Sequence, residues 1–203
     1  MPGRSTRVAR VAETRELTDA RVIRALAHPV RVNLLELLLR EGPLTATQAA
    51  DLLDDSPGNM SWHLQTLAKY GFVEDAGGGR GRARPWRLVT AGTSFSGTAG
   101  GDPDHTQAAT ELERLFHERT YDQLRRWLSD RHTYPEPWDK AGFASQGLSY
   151  LTPQEFEDLG NELTEVLLRF RDRTVDRAQR PADARPVQIV AFGHPVPPTA
   201  TGN

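Results

Sequence analysis

The chain has 203 residues, of which 26% are charged and 37% hydrophobic, with no cysteine and a formal net charge of −2. That length supports one or two modest cores, the missing thiols exclude disulfides and thiolate metal sites, and no apolar run approaches membrane-spanning length. The charge is segregated: residues 1–90 carry 13 basic and 10 acidic groups, whereas residues 91–203 carry 12 and 17.

Residues 1–16 begin with Arg4, Arg7 and Arg10 before any acid, which suits either a basic arm within reach of DNA or a merely soluble tail. The N-terminus lacks the apolar core of a secretory signal, so a cytoplasmic protein is expected. Two helices follow, Thr18 to Ala27 and Pro29 to Arg40, broken at His28-Pro29 and ended by Gly42-Pro43. Thr45 to Leu53 opens with a capping box, Thr45 and Gln48, and carries the small residues Ala49 and Ala50 that allow close helix packing. Asp54 and Asp55 bridge to the next helix at the spacing of a helix-turn-helix.

Ser56 to Tyr70 is the most sharply marked helix. Ser56 is a capping residue, Pro57 suits the first helical position, and Gly71 can close the helix in the left-handed conformation with Phe72 folded back on Leu67. Met60, Leu64 and Leu67 form one apolar stripe; Asn59, Trp62, Gln65, Thr66 and Lys69 fall on the other side. Beyond it, Phe72 to Glu74 and Pro85 to Val89 read as two short strands around a glycine-rich loop at 76–83. Arg80, Arg82, Arg84 and Arg87 make this hairpin positive, with no acid between Ala76 and Thr90. It reads as a DNA-binding wing or as a solvated tip.

Four segments carry a family resemblance: Leu26-Ala27-His28-Pro29-Val30-Arg31, Ala49-Ala50-Asp51-Leu52-Leu53, Met60-Ser61-Trp62-His63-Leu64-Gln65-Thr66-Leu67 and Gly71-Phe72-Val73. Together they resemble the ArsR-like winged helix-turn-helix transcriptional regulators, over the first ninety residues or so. The resemblance implies that Ser61, Trp62 and Gln65 or their neighbours meet DNA, with His63 either on a phosphate or packed inside. The candidate DNA-binding set is Ser56, Asn59, Ser61, Trp62, His63, Gln65, Lys69, Arg80, Arg82 and Arg84.

The founding members of that family sense metals through cysteines before the recognition helix, and this chain has none. A second family arrangement uses carboxylates and histidines on a long C-terminal helix, for which Asp104, His105, His117 and Glu118 are the candidates. His105 and His117 are twelve residues apart in the sequence, hence about 120° apart around a helix, which argues against a shared metal site. No cofactor is expected, and no metal ligands are assigned.

Ala91 to Asp104, rich in Gly, Ser and Thr, reads as a linker. From Asp104 to Asp130, Ala108, Leu112, Leu115, Phe116, Leu124, Trp127 and Leu128 make a long amphipathic helix, the expected dimer element. Thr152 and Glu155 form another capping box, opening a helix to about Val175 with Phe156, Leu159, Leu163, Val166, Leu167 and Phe170 on its apolar side. Ser145 to Leu151 and Pro186 to His194 read as short strands. Trp127, Tyr134, Trp138, Phe143, Tyr150 and Phe156 cluster in sequence, as an effector pocket or as the core of a small domain; no pocket residues can be named.

The expected fold is mostly α with short β strands, an N-terminal winged helix-turn-helix followed by a C-terminal α+β domain with long amphipathic helices. Its parts are an arm at 1–16, the DNA-binding domain at 17–92, a linker at 93–103, a dimerisation and effector domain at 104–194 and a tail at 195–203. No nucleophile elbow, phosphate loop or His-Glu-x-x-His pair is present, so catalysis is not expected. The function expected is sequence-specific binding of double-stranded DNA by a homodimeric repressor at a near-palindromic operator, with an unidentified small-molecule effector and no membrane partner. The alternatives are a winged-helix scaffold for protein association and a metal sensor using C-terminal histidines and carboxylates.

Overall fold

In the computed structural model, which describes residues 14–79, 83–94 and 102–197, the chain divides into two units between Ala144 and Ser145. The first unit runs β1 (Thr14–Glu16), α1 (Ala20–Leu26), α2 (Pro29–Glu41), β2 (Leu44–Thr45), α3 (Ala46–Leu53), α4 (Pro57–Lys69), β3 (Val73–Asp75), β4 (Pro85–Leu88), β5 (Gly92–Ser94), α5 (Pro103–Asp130) and α6 (Glu136–Ala141). The second holds α7 (Pro153–Leu168) and α8 (Arg171–Val175). The architecture is mostly helical with short strands.

Local chemistry sets the helix ends. Asp19 accepts the Arg21 N–H at 2.8 Å to open α1, and the His28 Nδ1 accepts the Val30 N–H at 3.2 Å to open α2. The α3 capping box closes in both directions, with Gln48 N–H on Thr45 Oγ1 at 3.2 Å and Thr45 N–H on Gln48 Oε1 at 2.9 Å. Between α3 and α4 the chain reverses through Asp54, whose φ of 53 is left-handed. An aspartate tolerates that region better than most residues, so the short link of Asp54, Asp55 and Ser56 works without glycine.

The strands β2, β4 and β3 form an antiparallel sheet in that spatial order, with Glu74 opposite Arg87 and Asp75 opposite Trp86. A separate parallel pair joins β1 to β5, Thr14 facing Gly92 and Glu16 facing Ser94. The end of the expected arm and the start of the expected linker are therefore paired strands. Parallel pairing of segments so distant in sequence has no local signature comparable to a hairpin turn. The Arg15 guanidinium ties β1 to the exit of α4, donating to the Tyr70 carbonyl at 2.7 Å and lying 5.1 Å from the Phe72 ring centroid.

The core of the first unit gathers Ile23 and Leu26 of α1, Leu34 of α2, Met60, Leu64 and Leu67 of α4, and Leu112 of α5, each at most 1% exposed. Burying a side chain of this size contributes about 1.5–3 kcal/mol. The first half of α5 belongs to this core: Ala108, Ala109 and Leu112 are fully buried, and the helix packs mainly on α1. Arg24 pairs with Asp104, and Arg119 bonds Asn33 at 3.0 Å and pairs with Glu36, so α5 is tied to both α1 and α2.

In the second unit the expected strands at Ser145–Leu151 and Pro186–His194 are absent; both segments lack strand pairing. The β-branched run at Val187, Ile189 and Val190 has the intrinsic preference, but a strand requires a ladder partner, and none forms among the described residues. The helix expected to run to Val175 is interrupted after Leu168 and resumes at Arg171. Its capping box is present, with Glu155 N–H on Thr152 Oγ1 at 3.3 Å and Thr152 N–H on Glu155 Oε2 at 2.8 Å. No residue of α7 is buried. The aromatic residues that cluster in sequence do not make a buried core: Tyr134, Phe143, Tyr150 and Phe156 are all exposed.

Candidate nucleic-acid interface

The helix α4 separates its two faces sharply. Met60, Leu64 and Leu67 are at 0% exposure, while Trp62, Gln65 and Lys69 are exposed along the opposite side at i, i+3 and i+7. Ser56 Oγ accepts the Asn59 N–H at 3.2 Å, which fixes the entry of the helix. At its exit Gly71 takes φ 74, Phe72 N–H reaches the Leu67 carbonyl at 2.9 Å and Gly71 N–H reaches the Ala68 carbonyl at 3.0 Å. This paired closure turns the chain directly into β3. The outward face of α4 is thus delivered as a rigid element beside a two-stranded hairpin, with α3 packed behind it.

A helix-turn-helix domain family model matches residues 26–76. The chain carries a helix-turn-helix domain. Such a domain is the DNA-binding module of transcription regulators, and the matched stretch spans α2, α3, α4 and β3. Among curated proteins none matches the chain.

Within the helix-turn-helix domain the candidate residues fall into distinct groups. Trp62, Gln65 and Lys69 share the exposed face, and half-buried Ser61 accepts from Gln65 Nε2 at 3.2 Å. Asn59 is held at the start of α4, its amide donating to Asp55 Oδ2 at 2.8 Å; Asp55 also accepts the Ser56 N–H at 2.6 Å. Those two bonds hold the Asp55 carboxyl below the usual carboxylate range, the backbone bond contributing most. The Asp55 bond uses one N–H of the Asn59 amide, which has a second N–H and an acceptor oxygen.

The hairpin corrects a reading of charge taken along the sequence alone. Arg87 donates to Glu74 through Nη2 at 2.7 Å and Nε at 2.9 Å, and Arg84 Nε lies 3.2 Å from Asp75 while its guanidinium sits 5.8 Å from the Trp86 ring centroid. Antiparallel register places Glu74 opposite Arg87 and brings Asp75 beside Arg84, just before β4, so two arginines isolated from acid in sequence each meet one in the fold. Both guanidiniums are thus engaged with an acid within the hairpin. Arg80 and Arg82 lie outside the described residues.

His63 does not belong to the exposed set. It is 2% exposed and faces inward, its ring centroid 4.6 Å from that of His28 and 4.7 Å from Trp62. Its Nδ1 and the Nε of neighbouring Arg31 are buried without a hydrogen-bond partner among the described residues. The DNA contact assigned to it from sequence is therefore withdrawn in favour of packing.

Burial, followed by the charges of His28 and Arg31, pushes the His63 imidazole below its usual value, and only Asp55 opposes this. Burial and then Arg31 do the same to His28. A group whose pKa is lower folded than unfolded takes up more protons in the unfolded chain, so stability must fall as pH drops below about 6.5. Urea unfolding is expected to show this loss between pH 8 and pH 5, with His63→Leu flattening the curve. The carboxylates with lowered values act only nearer pH 4, outside that window. A pH-independent midpoint would contradict the buried-neutral assignment.

Three of the four carboxylate and histidine candidates of the long helix make contacts within the fold. Asp104 pairs with Arg24, His105 is 3% exposed with Nδ1 3.0 Å from the Thr18 carbonyl oxygen, and Glu118 pairs with Arg114 at 2.6 Å. Gly58 is exposed in the first turn of α4, with open space where a Cβ would stand.

Proposed function

We propose that this chain is a sequence-specific transcription regulator that binds a near-palindromic operator as a homodimer and represses until an effector binds. The observation that carries the reading is the exposed row of Trp62, Gln65 and Lys69 on a helix whose other face is locked into the core of a helix-turn-helix domain. In this reading α4 enters the major groove, and Asn59, Ser61 and Gln65 address base edges. Trp62 offers an apolar plane to a thymine methyl, while Lys69 and the positive N-terminal end of α4 meet phosphates. The hairpin, through Arg80, Arg82 and Arg84, lies along the backbone.

Fluorescence-anisotropy titrations at two salt concentrations test this directly. Binding to random duplex should weaken steeply with salt, because phosphate contacts release counterions. Once bound fragments of source genomic DNA have been selected, Gln65→Ala should cost about 1–3 kcal/mol at one base position, whereas Arg82→Ala should weaken all sequences alike and flatten the salt slope. Equal losses on selected and random DNA for both variants would remove base reading. Absence of binding at low salt would remove the DNA reading itself.

A second reading has its own support. Trp62 is 57% exposed, and the described hairpin arginines are paired with acids, which suits a protein-binding helix anchored by an aromatic side chain. Salt-insensitive or absent DNA binding would favour it.

A further inference from the structure

A cleft of about 210 Å³ opens in the first unit, lined by no residue of α4. Leu35 and Leu39 of α2 form one wall, Phe72 and Leu88 at the root of the hairpin another, and Phe116 of α5 a third. Two hydroxyl residues, Thr90 and Thr93, and the paired side chains of Glu36 and Arg119 are its polar lining. We infer that this cleft is a binding site for a small neutral alcohol with an aromatic or alicyclic body.

Size, charge and polarity each narrow the occupant. Drug-sized ligands occupy about 300–1,000 Å³, whereas an apolar cavity of about 150 Å³ holds benzene; the present cleft falls between them and suits a singly substituted ring. Leucine and phenylalanine walls gain from burying an apolar body. The only charges on the lining already balance each other. Glu36 faces Arg119, which is further held by Asn33 at 3.0 Å, and burial lowers the guanidinium's pKa. A charged ligand would have to compete with the Glu36–Arg119 pair for its counter-ion while losing its own hydration. A neutral hydroxyl can instead exchange hydrogen bonds with a threonine on the lining, as both donor and acceptor. The walls come from α2, the hairpin root and α5, so an occupant touches the elements that hold the long helix against the helix-turn-helix domain.

The test uses the full chain without DNA, so its outcome is independent of the DNA-binding proposal. Calorimetric titration with 2-phenylethanol, phenylacetate, 2-phenylethylammonium and ethylbenzene compares one body with four head groups. Saturable one-to-one binding of 2-phenylethanol is expected, with both charged probes at least about tenfold weaker. Leu35→Trp should fill the cleft and weaken binding by about tenfold or more while circular dichroism stays unchanged, and Leu39→Trp serves if the first variant does not fold. Thr90→Val should remove the preference for the alcohol over ethylbenzene. Absence of saturable binding for all four probes, tighter binding of a charged probe, or undiminished binding in a folded tryptophan variant would overturn the assignment.

Discussion

Leu64→Ala is expected to lower the unfolding free energy by about 2–5 kcal/mol, the range for deleting a buried leucine where the surroundings collapse only partly. Leu64 is at 0% exposure and shares its core cluster with Met60, Leu67, Ala49 and Ala50. The two alanines of α3 are already small, so they have no side chain to swing into the space vacated. With total stabilities of single domains at about 5–15 kcal/mol, the loss would populate unfolded chain at modest temperature. Gln65→Ala, one residue along on the exposed face, is expected to change stability by no more than about 0.5 kcal/mol while impairing operator binding. Urea unfolding followed by circular dichroism separates the two cases. A Leu64→Ala loss of under about 1 kcal/mol would show that α4 is not anchored as its burial requires.

The features that were legible in the sequence are those determined locally. The Thr45–Gln48 and Thr152–Glu155 capping boxes, the Pro57 start and the Gly71 stop lie where short-range chemistry dictates, and helix α4 differs from the expected Ser56 to Tyr70 segment only at its capping residues. Features set by distant pairing were not legible. The β1–β5 pair joins residues nearly eighty positions apart with no turn to announce it, and the Glu74–Arg87 and Asp75–Arg84 pairs depend on strand register rather than on neighbouring positions. His63 was ambiguous for another physical reason. It follows Trp62 directly, and a shift of one residue on a helix is about 100°, enough to separate a solvent-facing position from a buried one. The propensity at 186–194 misled because it measures fit to a pleated surface, and here no neighbouring strand provides one.

The double variant Leu124→Asp, Leu128→Asp is expected to be monomeric in sedimentation and to bind a palindromic operator about 10²–10⁴-fold more weakly than the parent, the gain that linked half-sites ordinarily confer. The apolar periodicity of α5 does not stop where the core stops: Leu112 is fully buried, and farther along Tyr121, Leu124 and Leu128 are 52%, 47% and 53% exposed. Trp127 is not part of that exposed row; it is half-buried, with the Arg131 guanidinium 5.1 Å from its ring centroid. Two copies of the distal half of α5 can meet across a two-fold axis because the same surface serves both sides. Three half-exposed side chains are a small nucleus against the roughly 800 Å² that each partner of a stable complex normally buries, so flanking surface must contribute. Another apolar surface is the stripe on α7, where Leu159, Leu163 and Val166 are 42%, 45% and 52% exposed. Leu163→Asp therefore makes a discriminating companion. Dissociation by the α5 pair alone places the two-fold axis along the long helix, next to the helix-turn-helix domain whose spacing it would set. Dissociation by Leu163→Asp alone would move the axis into the second unit and overturn the α5 interface, and persistence of the dimer in both variants would exclude either stripe as its seam.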